Sequence, residues 1–253
     1  MNDEALAFEN VSFFYQSGKS RKQILKGVDL NVRRGEFVSI IGASGSGKST
    51  IFRLITGLEN PQSGEIRLAG KSTNNRLGQV GYMPQRDLLM PWRTVRENAA
   101  LPLEIKGDSQ LKKVDEMLQE FGLAGYEDKY PGELSGGMRQ RVSFLRATLA
   151  GSDILLLDEP FSALDALTKL FMQEWLLEQW EKEKKTILFI THDISEALFL
   201  SDRVIVLGES PTQVLEESVV PLGRPRAHQD ADQPEVLKLK ETLIERFRKQ
   251  TIL

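Results

Sequence analysis

No cysteine occurs in the 253 residues. Disulfides, thiolate nucleophiles and thiolate metal ligands are excluded, while the compartment is left open. A basic excess is missing too. Thirty-three Lys and Arg stand against 36 Asp and Glu, for a formal net charge of −3, which argues against a surface for naked nucleic acid. The start, "MNDEALAFEN", has neither a basic n-region nor an apolar h-region, so no signal peptide is read there. No apolar run approaches the ~18 residues that a membrane-crossing helix needs. No internal repeat, low-complexity tract or heptad array is present. These absences predict a soluble, cytoplasmic chain whose membrane role, if it has one, comes through a partner.

What is present is ordinary globular material, 40% hydrophobic and 27% charged, with enough length for one large domain or two small ones. Alternating apolar and polar residues from Leu6 to Tyr15 and from Ile24 to Val32 predict exposed antiparallel strands. "FVSII", Phe37 to Ile41, is a continuous apolar run ending at Gly42, which predicts a buried strand feeding a turn and then a helix over Ser49–Thr56. Further strands are read at Gly64–Gly70 and Val80–Met83.

The texture then becomes helical, with candidates at Thr94–Leu103, Ser109–Phe121 and Met138–Leu149. In the last, Met138, Val142, Leu145 and Leu149 share one face. Strand character returns at Asp153–Asp158, Thr186–Ile190 and Arg203–Leu207, with helices between. An amphipathic helix closes the chain, carrying Val236, Leu239, Leu243, Ile244 and Phe247 on one face. The pattern is α/β: a parallel core interrupted by a helical insert.

"GASGSGKST", Gly42 to Thr50, fits G-x-x-x-x-G-K-[ST] between a strand and a helix. Its glycines allow backbone N–H groups to curl around a phosphate, Lys48 reaches the β- and γ-phosphates, and the Ser49 hydroxyl suits Mg²⁺. "ILLLDEP" ends an apolar strand at Asp158, a carboxylate placed for Mg²⁺. Glu159 is placed to orient or deprotonate water, although such acidic pairs also cap helices. His192 follows the strand "TILFI" at the edge where α/β sheets bind ligands, with helix capping as the plainer alternative. Gln85 follows "VGYMP" at another strand end, where a lone glutamine is otherwise polar surface. "LSGGMRQR", Leu134 to Arg141, opens a helix with a serine and two glycines, the layout of a second anion site.

In their order and spacing, the phosphate loop, Gln85, "LSGGMRQR", "ILLLDEP", "SALD" (Ser162 to Asp165) and His192 resemble the ABC-type ATPases over nearly the whole chain. The resemblance implies a RecA-like P-loop NTPase core with an N-terminal antiparallel β subdomain and a helical insert subdomain. It places the core at 1–84 and 151–230, the insert at about 85–150 and a C-terminal helix at about 233–250, within one domain of 1–253. It further implies ATP and Mg²⁺ as cofactors. Gly42, Ser44, Gly45, Ser46, Gly47, Lys48, Ser49 and Thr50 would surround the phosphates, and Tyr15 would stack on adenine, with core or edge packing as the alternative and Phe13 or Phe14 as rival aromatics. Ser49, Gln85 and Asp158 would serve the metal, with Glu159, His192, Gln85 and Lys48 catalytic.

Two copies would lie head to tail. Ser135, Gly136 and Gly137 of one copy would meet the γ-phosphate on the other, and Asp165 would cross the interface. The partners implied are transmembrane permease subunits and, indirectly, a substrate-binding protein, at the cytoplasmic face of the membrane and with no nucleic acid.

"LLMPWRTVRENAALPLE", "DEPFSALDALT", "THDISEALFLSDRVIVL" and "PLGRPR" are similar to the ATP-binding subunits of nitrate/sulfonate/taurine-type importers and their thiamine-precursor relatives. Met90 stands where many of those have leucine. Trp92 and Arg93 would face the permease, with local packing as the alternative. The remaining readings are an exporter or lipoprotein-release ATPase of similar length, an ATPase of nucleic-acid or ribosome work, and a metabolic P-loop kinase. The last would have no use for "LSGGMRQR". The nucleic-acid type would bring long coiled coils, and the ribosome type a second cassette.

Overall fold

The computed structural model describes residues 3–108 and 111–251. These pack as two units, one of the described residues within 3–79 and 177–251, the other of those within 80–176. Ser109, the first residue of the predicted second helix, lies outside the described residues.

In the first unit, β1 (Glu4–Ser17), β2 (Ser20–Arg33), β4 (Ser63–Leu68) and β5 (Lys71–Ser72) form an antiparallel sheet in the order β2-β1-β4-β5. The expectation of exposed strands holds for only part of β1. Five successive residues, Glu4 to Phe8, are buried on both faces of β1, an inner strand paired with β2 and β4. β3 (Phe37–Gly42) is buried at every residue, as its unbroken apolar run predicts. It pairs in parallel with β8 (Thr186–Ile190) and β9 (Arg203–Leu207), and β10 (Leu215–Val219) runs antiparallel to β9. β5 and β10 were not legible in the sequence. β10 has no fully buried residue, so nothing marks it as a strand apart from its pairing.

α1 (Lys48–Thr56) leaves β3 through the phosphate loop. Its far end is closed by Gly57, at φ 79°, and by the buried side chain of Arg76. That guanidinium donates to Leu54 O at 3.0 Å, Thr73 O at 2.6 Å, Glu59 O at 3.2 Å and Asn60 Oδ1 at 3.0 Å. Leu54 O belongs to the last turn of α1, where a cation meets the negative dipole end. Burial pushes the Arg76 pKa down from the usual arginine value. Arg76→Met keeps the bulk and strands these carbonyls. The expected loss is about 3 kcal/mol, or roughly 6–12 °C in melting midpoint for a chain of this size. A thermal melt shifted by less than about 2 °C would show that water replaces the guanidinium.

α6 (Ile194–Leu200) and α7 (Pro234–Thr251) cover the far end of this unit. Val236 and Leu243 of α7 enter a core with Ile41, Ala197, Leu198, Val204, Val206 and Val220, joined by Leu239 and Phe247. The predicted apolar face of the C-terminal helix is thus a packing face. "PLGRPR" is a clamp here. Arg226 donates to Leu198 O, Phe199 O and Ser201 O at the end of α6. Its burial and the nearby Arg224 pull its pKa down to about 10. Arg224 binds Asp202 Oδ1 at 2.9 Å and lies over the Trp180 ring.

In the second unit, β6 (Gly81–Met83) pairs in parallel with β7 (Ile154–Asp158). The helices are α2 (Val95–Ile105), α3 (Leu111–Glu120) and α4 (Gly136–Leu149), with α5 (Ala166–Glu183) running on into the first unit. α2 starts on a capping box, Thr94 with Glu97. Phe121, Phe144, Phe161 and Trp175 form an edge-to-face aromatic core between these helices.

Candidate nucleotide site

The phosphate loop joins the carboxyl end of β3 to the N-terminus of α1. Gly47 has φ 102°, and a Cβ there would meet Ile24 Cγ2 at 2.8 Å, so a side chain is barred by both strain and space. The Lys48 ammonium folds back over its own loop, donating to Gly42 O at 2.7 Å and Ala43 O at 2.9 Å. The Ser46 hydroxyl is buried with no hydrogen-bond partner among the described residues. Ser44, Gly45 and Ser49 are exposed. Thr212, which the sequence did not single out, braces the loop by donating its hydroxyl to Ser46 O at 3.1 Å.

Tyr15 comes to the same place from β1. Its hydroxyl is 3.5 Å from Thr50 Oγ1, and its ring stands edge-on to Phe13, with centroids 4.8 Å apart. His192 is exposed just after β8. It is not the cap of α6: Asp193 Oδ1 accepts from the N–H of Ser195 at 2.9 Å and of Glu196 at 3.2 Å.

The second unit gathers Gln85, Glu159, Asp158 and the "LSGG" helix. Asp158 ends β7 and is buried. Glu159 follows with φ 50°, a left-handed conformation that is uncommon for a residue with a side chain. Gln85 Nε2 donates to Glu159 Oε2 at 3.2 Å, so the predicted water-activating group and the predicted metal-side glutamine touch.

α4 is capped at its N-terminus by Ser135, whose hydroxyl accepts from Met138 N at 3.2 Å. The two glycines that follow serve different ends. A Cβ on Gly137 would lie 3.2 Å from Ala163 O and Leu164 Cδ2, so this glycine allows close packing on the "SALD" turn. Gly136 is exposed, and a Cβ there would find only Arg139 Nη2, at 3.8 Å, which leaves the helix end open. Asp165 accepts from the Thr168 N–H at 3.0 Å and hydroxyl at 2.6 Å, and these bonds hold its carboxyl below the usual aspartate range.

α4 also fixes the Gln85 loop. Arg139 binds Asp87 Oδ2 at 3.0 Å, and Arg146 donates to Asp87 O at 2.7 Å and Leu88 O at 2.9 Å. Sequence reading missed these arginines, because a basic residue on a half-polar helix reads as solvated surface.

The family profile described as ABC transporter matches residues 25–162, more than half of the chain. The chain belongs to the ABC transporter family.

This cassette is 50% identical over 224 residues to the formylaminopyrimidine import ATP-binding protein ThiZ of Halalkalibacterium halodurans, covering 87% of this chain and 86% of that one. It is 37% identical over 236 residues to the aliphatic sulfonates import ATP-binding protein SsuB of Bacillus subtilis, covering 93% and 91%. Among solved structures, it superposes with a TM-score of 0.79 on the dimeric, post-hydrolysis ATP-binding cassette MJ0796 bound to ADP and Pi. There the identity is 34%, with 86% of this chain and 100% of the other covered. The ABC fold and the ATP-binding, ATP-hydrolysing class of this cassette thus follow from its family. Among the described residues no helix is long and apolar enough to cross a membrane.

Proposed function

We propose that this chain is the ATPase subunit of an importer for a small organic solute. Two copies would work head to tail on the cytoplasmic face of a permease fed by a substrate-binding protein. The observation that carries this reading is the 50% identity, over 87% of the chain, to a formylaminopyrimidine import ATP-binding protein. That value exceeds the 37% identity to a sulfonate import protein and favours a formylaminopyrimidine-like solute over an aliphatic sulfonate.

The residues present fit ATP and Mg²⁺. Lys48, held by two carbonyls of its own loop, supplies a positive charge to phosphate oxygens at the N-terminus of α1. Tyr15, within reach of Thr50, offers an aromatic face for the base. Ser49, Gln85 and Asp158 supply a hydroxyl, an amide and a carboxylate, the hard oxygen donors that Mg²⁺ takes. When bound, Mg²⁺ would neutralise charge on the transferred phosphoryl group. Glu159 orients and polarises water, and its contact with Gln85 links it to the loop that Asp87 and Leu88 anchor on α4. His192 contacts the γ-phosphate. The open end of α4 at Ser135, Gly136 and Gly137 binds the γ-phosphate held by the second copy, and Asp165 lies at that interface.

The permease surface is centred on Trp92. Local packing does not account for this ring, which is 72% exposed. Its segment is nevertheless rigid. Buried Asn98 accepts from Met90 N at 2.8 Å and donates to Met90 O, Arg93 O and Thr94 O at 3.0–3.1 Å. Leu88 and Ile105 are exposed as well, at 61% and 78%. A large aromatic on a fixed loop is the usual anchor of a protein interface. Arg93 is engaged with Glu104 at 2.7 Å and contributes less.

Trp92→Ala is expected to leave the basal ATPase of the isolated subunit within about twofold while weakening assembly with the permease by roughly 30-fold. Co-purification and titration against the detergent-solubilised permease measure this. Unchanged assembly would remove Trp92 from the interface, and an equal loss of basal activity would place it in the cassette's own machinery.

A further inference from the structure

We infer that Gln140 is the positioning residue that sets Glu159 for catalysis; this rests on Glu159 being the water-activating group. Gln140 is 5% exposed and lies one turn inside α4. Its amide is used from both ends. Nε2 donates to Glu159 O at 2.9 Å and to Ser162 Oγ at 3.2 Å, while Oε1 accepts from Ala163 N at 2.9 Å. Ser162 adds two more donors to the same carbonyl, its hydroxyl at 3.0 Å and its N–H at 3.2 Å.

Three donors thus converge on the carbonyl of a residue held at φ 50°. A left-handed conformation costs about 1–2 kcal/mol for a residue with a Cβ. It persists where surrounding contacts over-determine it, as at active sites. Rotating the Glu159 peptide out of this conformation would carry its carbonyl away from Gln140 and Ser162 and its carboxylate away from Gln85. The requirement at position 140 is therefore a side chain with a donor and an acceptor at fixed separation. Glutamine meets it, glutamate lacks the donor and leucine lacks both.

The test uses the full-length chain with Mg-ATP. Gln140→Leu and Gln140→Glu are each made in the native background and in Glu159→Gln. Positioning predicts a fall in kcat of about 10–100-fold in the native background, with KM and nucleotide Kd within about twofold. In Glu159→Gln the same substitutions should change the residual rate by less than about twofold, since the group they position is already disabled. Ser162→Ala, at an exposed position, removes one of the three donors without touching the core. It should lower kcat by a smaller factor, about threefold to tenfold, again at constant KM.

Equal losses in both backgrounds, or a loss carried by nucleotide Kd, would overturn the proposal. If the Gln140 variants do not fold, Ser162→Ala decides alone: a rate unchanged from the native one refutes the clamp. If Glu159→Gln by itself hydrolyses ATP at the native rate, the role of Glu159 fails, and that of Gln140 with it.

Discussion

Glu159→Gln is expected to slow ATP turnover by roughly 10²–10⁴ while nucleotide affinity is retained. The substitution is a clean probe of basicity here. A glutamine at 159 can still present an amide oxygen to Gln85 Nε2, which now donates to Glu159 Oε2 at 3.2 Å. Its carbonyl keeps the three donors from Gln140 and Ser162, so the left-handed backbone is retained. What disappears is a group able to polarise or accept a proton from water. In the head-to-tail dimer proposed above, hydrolysis would be the exit from the ATP-bound state, so that dimer should accumulate. Steady-state ATPase, equilibrium nucleotide binding and size-exclusion with Mg-ATP test the three parts. A turnover near the native rate would strip Glu159 of the role.

Much of the core was legible because burial writes itself into unbroken apolar runs. β3, β8 and β9 fall where "FVSII", "TILFI" and "RVIVL" predict, each being almost wholly buried. β10 left no such trace, since "LEESV" is half-exposed or exposed throughout and is a strand only by pairing with β9. At β1 the alternating pattern misled. Leu6, Ala7 and Phe8 are buried in succession, where strict alternation would have turned Ala7 to solvent.

The site divides the same way. The phosphate loop, the strand-end acidic pair and "LSGG" are local patterns whose chemistry follows from adjacent residues. The groups that hold them in place are not local. Arg76 closes α1 across 22 residues, Gln140 reaches 19 residues to Glu159, and Thr212 reaches 166 residues to Ser46. In sequence Arg76 and Thr212 are single polar residues, indistinguishable from surface, and Gln140 sits inside "LSGGMRQR" with nothing to show that it reaches Glu159. Only the fold shows that Arg76, Gln140 and Thr212 are buried and that each sends one hydrogen bond to the backbone of the phosphate loop, its helix or the Glu159 turn.

Lys48→Ala should weaken nucleotide binding by about 100-fold or more and abolish turnover, because the phosphates lose a charge-assisted partner that no other residue of the loop supplies. The substitution frees Gly42 O and Ala43 O, two carbonyls of the loop, and the fold should survive. A nucleotide Kd within about twofold of native, by calorimetry, would refute the assignment.

The same variant tests whether α4 serves a second copy. Ser135→Arg places bulk and charge at the open end of α4 while leaving that chain's own phosphate loop intact. Each variant alone should be inactive. In a mixed dimer with trans sites, both lesions fall on one composite site and the other is native, so mixing should restore part of the activity. With cis sites every chain is defective and mixing restores nothing. Strict coupling between the two sites could silence the lone intact one. Ser135→Cys paired with Ser44→Cys separates that case, since the native chain has no cysteine to interfere. ATP-enhanced disulfide formation between chains supports the trans arrangement even without recovered activity, and its absence, or indifference to ATP, excludes it.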